Sequence, residues 1–253
     1  MLDTAAQAGK KVHFKLNDDG WYLSSFFFTN PMLKYNVKYN ENMVEQAVSI
    51  NYDTPEGLEV MKALRTYIAH EALVAQTDDS KIIAAFTNGE AAAAVSGTWN
   101  ATTIKDLLGD NMGVCKLPTA VISGEEVQLS GYMGYKLIGV NGYSQNKGEA
   151  HKLALWLTNQ ENQLKRFQVR GFGPTNKVVS EMDIVKNDPV ISAVLDQAQY
   201  MRPQKGVPGN YWTPMGSLIT PIILAKDEAR EITDEELMEL LVATCDSIRK
   251  EEE

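Results

Sequence analysis

Ala85-Phe-Thr-Asn-Gly-Glu-Ala-Ala-Ala-Ala-Val-Ser-Gly-Thr-Trp-Asn100 is the stretch on which the fold turns. Residues 79–86 lead into it as a short helix that stops near Gly89. The run at 90–95 then sets propensity against punctuation. Alanine is the best helix former, yet Gly89 and Gly97 set the run off as they would a short buried strand, and we take the strand, which the wider motif order described below also favours. A helix, a strand and a turn in that order leave Trp99 at the end of a strand, in Gly-Thr-Trp-Asn. A tryptophan so placed is suited to face a cleft. Trp156, held in a helix between Leu155 and Leu157, is the opposite case and reads as packing.

On the N-terminal side, Met1 to Lys10 reads as the tail of a helix. Lys11-Val-His-Phe-Lys-Leu16 alternates as a strand does, residues 17–20 form an Asp- and Gly-rich turn, and 21–28 start a buried helix. Thr54 and Pro55 open the next helix as N-cap and first helical residue, with Leu58, Met61, Leu64 and Ile68 on its apolar face. On the C-terminal side, 112–117 reads as a strand ended by Pro118, 120–128 as a hairpin or loop, and 135–140 as a strand. Helices follow at 149–157 and 162–169. Another starts at Asp188-Pro189 with Ile191, Leu195 and Ala198 inward. The apolar helix at 213–224 must kink or end early at Pro221. The last helix is the best signalled. Thr233 and Glu236 form a capping box, Ile232 and Leu237 a hydrophobic staple, and Leu237, Leu241, Cys245 and Ile248 the buried stripe.

The 253 residues allow one large domain or two modest ones with a real core. A net charge of −9 without a Lys/Arg cluster argues against nucleic acid, whose phosphates demand cations, and against an anionic membrane face. The longest apolar runs, 24–28 and 218–224, fall far short of the roughly 20 residues that span a bilayer. Cys115 and Cys245 sit among apolar neighbours and read as buried thiols, with a disulfide between them the open alternative. His13, His70 and His151 lack metal-ligand spacing, so neither metal nor cofactor is expected.

Asp18 and Asp19 are the nearest approach to a carboxylate pair, but Asp-Asp-Gly is also a common turn, and glycosidases need carboxyls about 5–9 Å apart across a cleft. Trp21, Tyr22, Trp99, Tyr132, Tyr211 and Trp212 all lie at turns or element ends beside Gly, Asn, Ser or Thr. Each either packs or faces ligand. Sugars suit the second role, because their C–H faces lie on aromatic rings while their hydroxyls need fixed donors and acceptors.

The order of these motifs resembles the extracellular solute-binding proteins of sugar-importing ABC transporters, the maltodextrin-binding type in particular. It rests on Phe14 to Tyr22, Ala-Phe-x-x-Gly-Glu-x-Ala at 85–92, Gly-x-Trp at 97–99 and Gly-Val-x-x-Leu-Pro at 113–118, then a crossover at 132–157 and C-terminal helices with a late tryptophan. The resemblance implies an α/β fold, periplasmic-binding-protein-like of type II, in which two lobes hinge shut over ligand. The chain would be N-terminally truncated: 1–133 and 181–253 make the C-terminal lobe, and 134–180 an inserted remnant of the N-terminal lobe. It further implies a binding protein and not an enzyme. The ligand is an oligosaccharide, the partner a membrane permease, and the location extracellular or periplasmic, lipoprotein-tethered at full length. Trp99 becomes the stacking platform and Asn100 its polar neighbour. The turn at 18–22, with Asp18, Asp19, Trp21 and Tyr22 in it, supplies an acidic hydrogen-bonding group and an aromatic, and Trp212 or Met215 stands near the family's late tryptophan, while Tyr132 and Tyr211 are candidates from their turn context alone. The first lobe's ligand residues are absent. The helices at 134–180 (Leu153, Trp156, Leu157, Leu164, Phe167) lose their usual sheet, which favours self-association or a complementing chain. The competing readings are a peptide or polyamine receptor on the same fold, and a carbohydrate-active enzyme using Asp18 or Asp19.

Overall fold

The structure, a computed structural model, describes residues 1–17 and 20–251. Asp18 and Asp19 lie outside the described residues.

From the N-terminus, α1 (Leu2–Gln7) leads into β1 (Lys11–Phe14) and a single helical turn, α2 (Ser24–Phe27). A hairpin follows, β2 (Tyr35–Tyr39) and β3 (Glu45–Ile50), then α3 (Pro55–Ala69), β4 (Leu73–Val74), α4 (Asp79–Thr87) and β5 (Ala91–Val95). A 3-10 turn at Thr98–Asn100 opens α5 (Ala101–Leu108). Next come the hairpin β6 (Thr119–Ile122) and β7 (Glu125–Gln128), and β8 (Tyr132–Met133). Five helices succeed it: α6 (Lys147–Leu157), α7 (Gln160–Arg170), α8 (Lys177–Ser180), α9 (Asp183–Lys186) and α10 (Pro189–Ala198). The chain closes with β9 (Arg202–Pro203), α11 (Trp212–Ser217), α12 (Thr220–Asp227) and α13 (Asp234–Ile248). It divides into two compact units. One is Met1–Ser96, Leu117–Met133 and Tyr200–Glu253; the other is Gly97–Lys116 and Gly134–Gln199.

The first unit is built on a parallel sheet in the order β4-β1-β5. The alanine run is indeed a strand: Ala93, Ala94 and Val95 register against Val12, His13 and Phe14. The ladder offered by β1 outweighs alanine's helix preference, which is worth only tenths of a kcal/mol per residue. Helix α3 packs against α12 and α13, burying Val60, Met61, Leu64 and Ile68. The stripe Leu237, Leu241, Cys245 and Ile248 on α13 is wholly buried, as its spacing requires. Pro221 does break the 213–224 segment, since α11 ends at Ser217 and α12 restarts at Thr220. Thr54 occupies the N-cap of α3 but its side chain makes no capping bond.

The capping box on α13 is complete. Thr233 Oγ1 accepts from the Glu236 amide at 3.2 Å, and Glu236 accepts from the Thr233 amide at 2.7 Å. Thr233→Ala is therefore expected to cost about 1 kcal/mol, read as a lower denaturation midpoint in urea. The Glu236 carboxyl is held below its ordinary pKa, chiefly by the Thr233 amide. Its contribution is present above the usual carboxylate range and fades as pH falls through the lowered value, so Glu236→Gln should flatten that part of the acid limb.

The second unit is helical, with a small core of Phe167, Val179, Val185 and Ile191 on which Leu164 and Met182 pack. Here several expectations fail. Residues 112–117 and 135–140 are not strands, because among the described residues no neighbouring strand pairs with either, and a strand needs a ladder to satisfy its backbone. Leu195 points to solvent while Ala193 and Gln197 are buried beside Ile191, a different face of α10 from the one its spacing suggested. Cys115 is exposed, not a buried thiol, whereas Cys245 is buried. Trp156 is not core either, being 56% exposed with Leu153 and Leu155 bare beside it.

Candidate functional site

Strand β1 lies between β4 and β5, so the strand order reverses there, and the carboxyl ends of parallel strands at such a point are where open α/β sheets hold ligands. Phe14 pairs with Val95 at that edge. After Phe14 the chain turns through Gly20 to Trp21, and after Val95 it runs on to Gly97.

Gly20 has φ +79°, and a Cβ there would lie 2.5 Å from Met215 Cβ and 3.2 Å from the Trp212 carbonyl oxygen. The turn after β1 is thus seated directly on α11, with glycine supplying both the left-handed backbone and the room. This contact brings Trp21 onto Trp212: the indoles stack at 5.8 Å, 21° apart. Tyr132 on β8 closes a trio, 5.0 Å from Trp21 and 5.3 Å from Trp212. Both indoles are partly exposed, whereas Tyr132, Tyr211 and Met215 are buried. Tyr22 turns to Phe14, edge-on at 6.3 Å, with Lys15 Nζ 5.4 Å from its ring.

Behind the trio runs a chain of hydroxyls. Ser24 donates its one proton to the Gly20 carbonyl at 2.7 Å. Tyr211, 2.8 Å from Ser24 Oγ, must then donate to it, and Tyr52, 3.3 Å from Tyr211, donates in turn. Burial pushes the Tyr211 phenol up to about 12 and holds those of Tyr52 and Tyr132 well above their ordinary value. All three phenols stay protonated across neutral pH.

In the second unit Trp99 is 48% exposed. Its ring lies over Gly97, whose Cβ, were there one, would come within 2.1 Å of it. Asn100 follows in the same 3-10 turn. Trp21, Tyr132, Tyr211, Trp212 and Met215 are thus gathered in one unit, while Trp99 and Asn100 belong to the other. Among the described residues no group of three or more His, Cys, Asp or Glu could hold a metal, and no helix is long and apolar enough to cross a membrane. The sequence reading missed Phe28, Tyr35, Tyr52, Ser24 and Arg202, which back the trio. Phe28 was assigned to a helix and stands one residue past it. Arg202 carried no local signal at all.

Residues 1–193 match the family described as bacterial extracellular solute-binding protein. The chain belongs to that family. Among curated solute-binding relatives, a galactooligosaccharide-binding protein of Bacillus subtilis is 28% identical over 152 residues, 59% of this chain and 35% of its own length. A structure solved with acarbose is 25% identical with a TM-score of 0.76, covering 94% of this chain and 61% of that one. The maltotriose-binding protein of Thermus thermophilus, bound with maltotriose, is 18% identical with a TM-score of 0.70, over 98% and 64%. The fold is that of the periplasmic sugar-binding proteins, of mixed α/β type. The chain spans about a third of the curated solute-binding relative and about three fifths of the solved ones.

Proposed function

We propose that this chain supplies one wall of an oligosaccharide site in the binding subunit of an ABC importer, with maltodextrin-like glycans as the ligand class. The observation that carries the reading is the part-exposed Trp21–Trp212 pair backed by buried Tyr132. Pyranose C–H faces lie on such rings while hydroxyls find polar tips. Trp99 is a second stacking platform, with Asn100 beside it. Asp18 and Asp19 accept from sugar hydroxyls, Tyr22 flanks them, and Tyr132, Tyr211 and Met215 act by holding the indoles. Residues 1–133 and 181–253 correspond to the C-terminal lobe and 134–180 to a remnant of the N-terminal lobe. The chain binds and does not catalyse. Its partner is a membrane permease, and its place is extracellular or periplasmic, on a lipid-anchored full-length form. The names of the relatives, galactooligosaccharide, maltodextrin and acarbose among them, support a glycan over a peptide or polyamine.

A thermal-shift panel tests this, since a ligand stabilises the native state by mass action. Maltotriose or a galactooligosaccharide is expected to raise the midpoint, and Trp212→Ala to abolish the rise. Stabilisation by peptides or polyamines alone overturns the reading. So does release of a reporter from a glycoside that is lost in Asp19→Asn.

The bare side chains of the second unit carry a further expectation. Tyr135, Leu137, Tyr143, Leu153, Leu155 and Trp156 are all exposed, Leu137 at 88%. Apolar surface exposed on this scale favours association. Light scattering should give a mass above the 28.1 kDa of one chain, lowered by Leu153→Glu with Trp156→Glu. A monodisperse monomer that binds no hydrophobic dye counts against it.

A further inference from the structure

We propose that Arg202 is the positioning residue of the aromatic wall, fixing the stacked geometry of Trp21 and Trp212 without touching ligand; its relevance to binding rests on the sugar reading above. Arginines usually find a carboxylate. The Arg202 guanidinium instead donates to three backbone carbonyls of one turn: Nη1 to Leu33 at 3.1 Å, and Nη2 to Phe28 and Asn30 at 3.0 Å each. A rigid planar fork can serve three acceptors at once; a lysine ammonium on a flexible stem cannot hold that arrangement. The same guanidinium lies 4.6 Å from the Phe28 ring centroid, within cation–π range.

From Phe28 the contacts run straight to the wall. Phe28 meets Tyr132 edge to face, 4.7 Å at 89°. Tyr132 touches both indoles, and its hydroxyl accepts from Tyr35 at 3.3 Å. The Arg202 main chain also holds the strand that carries Tyr132: β9 pairs with β8, placing Arg202 opposite Tyr132 in register, and the Arg202 amide donates to the Gly131 carbonyl at 2.8 Å. Arg202 therefore fixes the strand that carries Tyr132 and the ring against which Tyr132 rests. Tyr132 is fully buried among these rings, so a change in the Phe28 ring must be taken up by Tyr132 or by the indoles it touches, since close-packed interiors transmit strain.

The test reads the indole pair directly, through its exciton-coupled circular dichroism. Trp21→Phe establishes the origin of the band by removing it. Arg202→Lys is expected to diminish the band while secondary structure persists, and to weaken maltotriose binding on the order of tenfold, as small misplacements of a preorganised site do. Phe28→Leu, which keeps the apolar volume but removes the ring, should diminish the band equally and serves should Arg202→Lys fail to fold. An unchanged band in Phe28→Leu, or an unchanged band in Arg202→Lys with only a lowered melting midpoint, overturns the proposal. Loss of the band in a protein whose parent binds no maltotriose upholds the positioning role and removes the sugar reading instead.

Discussion

Gly57→Ala is expected to destabilise the first unit by about 3 kcal/mol or more, although alanine is the better helix former. Propensity alone favours the change by about 1 kcal/mol. Packing opposes it. Gly57 is buried in the first turn of α3, and a Cβ there would fall 1.7 Å from the Tyr52 carbonyl oxygen and 2.8 Å from its carbonyl carbon. That obstacle is backbone, so no rotamer change relieves it. Either α3 or the Tyr52 segment must move, and both are fixed. Tyr52 is stacked on Phe27 at 4.6 Å and tied to Tyr211, and α3 packs on α12 and α13. Forced overpacking costs about 1–3 kcal/mol in deformable side-chain sites, and backbone clashes lie at the upper end or beyond. At about 2–4 °C per kcal/mol for a chain of this size, the calorimetric midpoint should fall by roughly 6–12 °C. A midpoint at or above that of the parent would mean that propensity wins and the close approach is relieved at no cost.

The two units differ in how far sequence patterning reaches. In the first, most local signals agree with tertiary context, the alanine run of β5 and Thr54, which makes no capping bond, being exceptions. The capping box and stripe of α13 and the proline break between α11 and α12 appear where patterning puts them, and the segment read as a hairpin or loop over 120–128 is the hairpin β6–β7, which starts at Thr119. The hairpin β2–β3 has a sequence signal of its own, the alternation Tyr-Asn-Val-Lys-Tyr before an Asn-rich turn. In the second unit, patterning and structure part. Residues 112–117 and 135–140 carry strand-like sequence without partner strands, and Trp156 carries core-like sequence without a core. That conflict between levels is itself informative, since natural sequences are locally consistent with their folds.

The site shows a similar split. Aromatic type and turn context picked out Trp21, Tyr132, Tyr211 and Trp212, and the structure gathers all four. What sequence could not distinguish was which rings reach the surface, because exposure depends on the seating of the Gly20 turn on α11. Arg202 lies some 170 residues from the carbonyls it holds, and no one-dimensional period reports such a contact.

Gly97→Ala should damage binding severely while leaving the fold nearly intact, the reverse of Gly57→Ala. Gly97 has an ordinary φ of −89°, so alanine brings no backbone strain. Its Cβ would instead fall 2.1, 2.2 and 2.4 Å from three carbons of the Trp99 ring. The obstacle is a side chain that is half exposed, and the cheapest relief is for the indole to swing away. The melting midpoint then changes little. On the proposed role of Trp99 as a stacking platform, an indole that has left its place loses what an aromatic hot spot supplies, about 2 kcal/mol or more, equivalent to about 30-fold in affinity. Trp99→Ala should cost a similar factor in maltotriose titration calorimetry. The double variant separates the causes. If Gly97 acts only by seating Trp99, adding Gly97→Ala to Trp99→Ala costs nothing further, because both changes remove one interaction. Fully additive losses would place the role of Gly97 elsewhere, and an unaltered affinity in Gly97→Ala would take Trp99 out of the site.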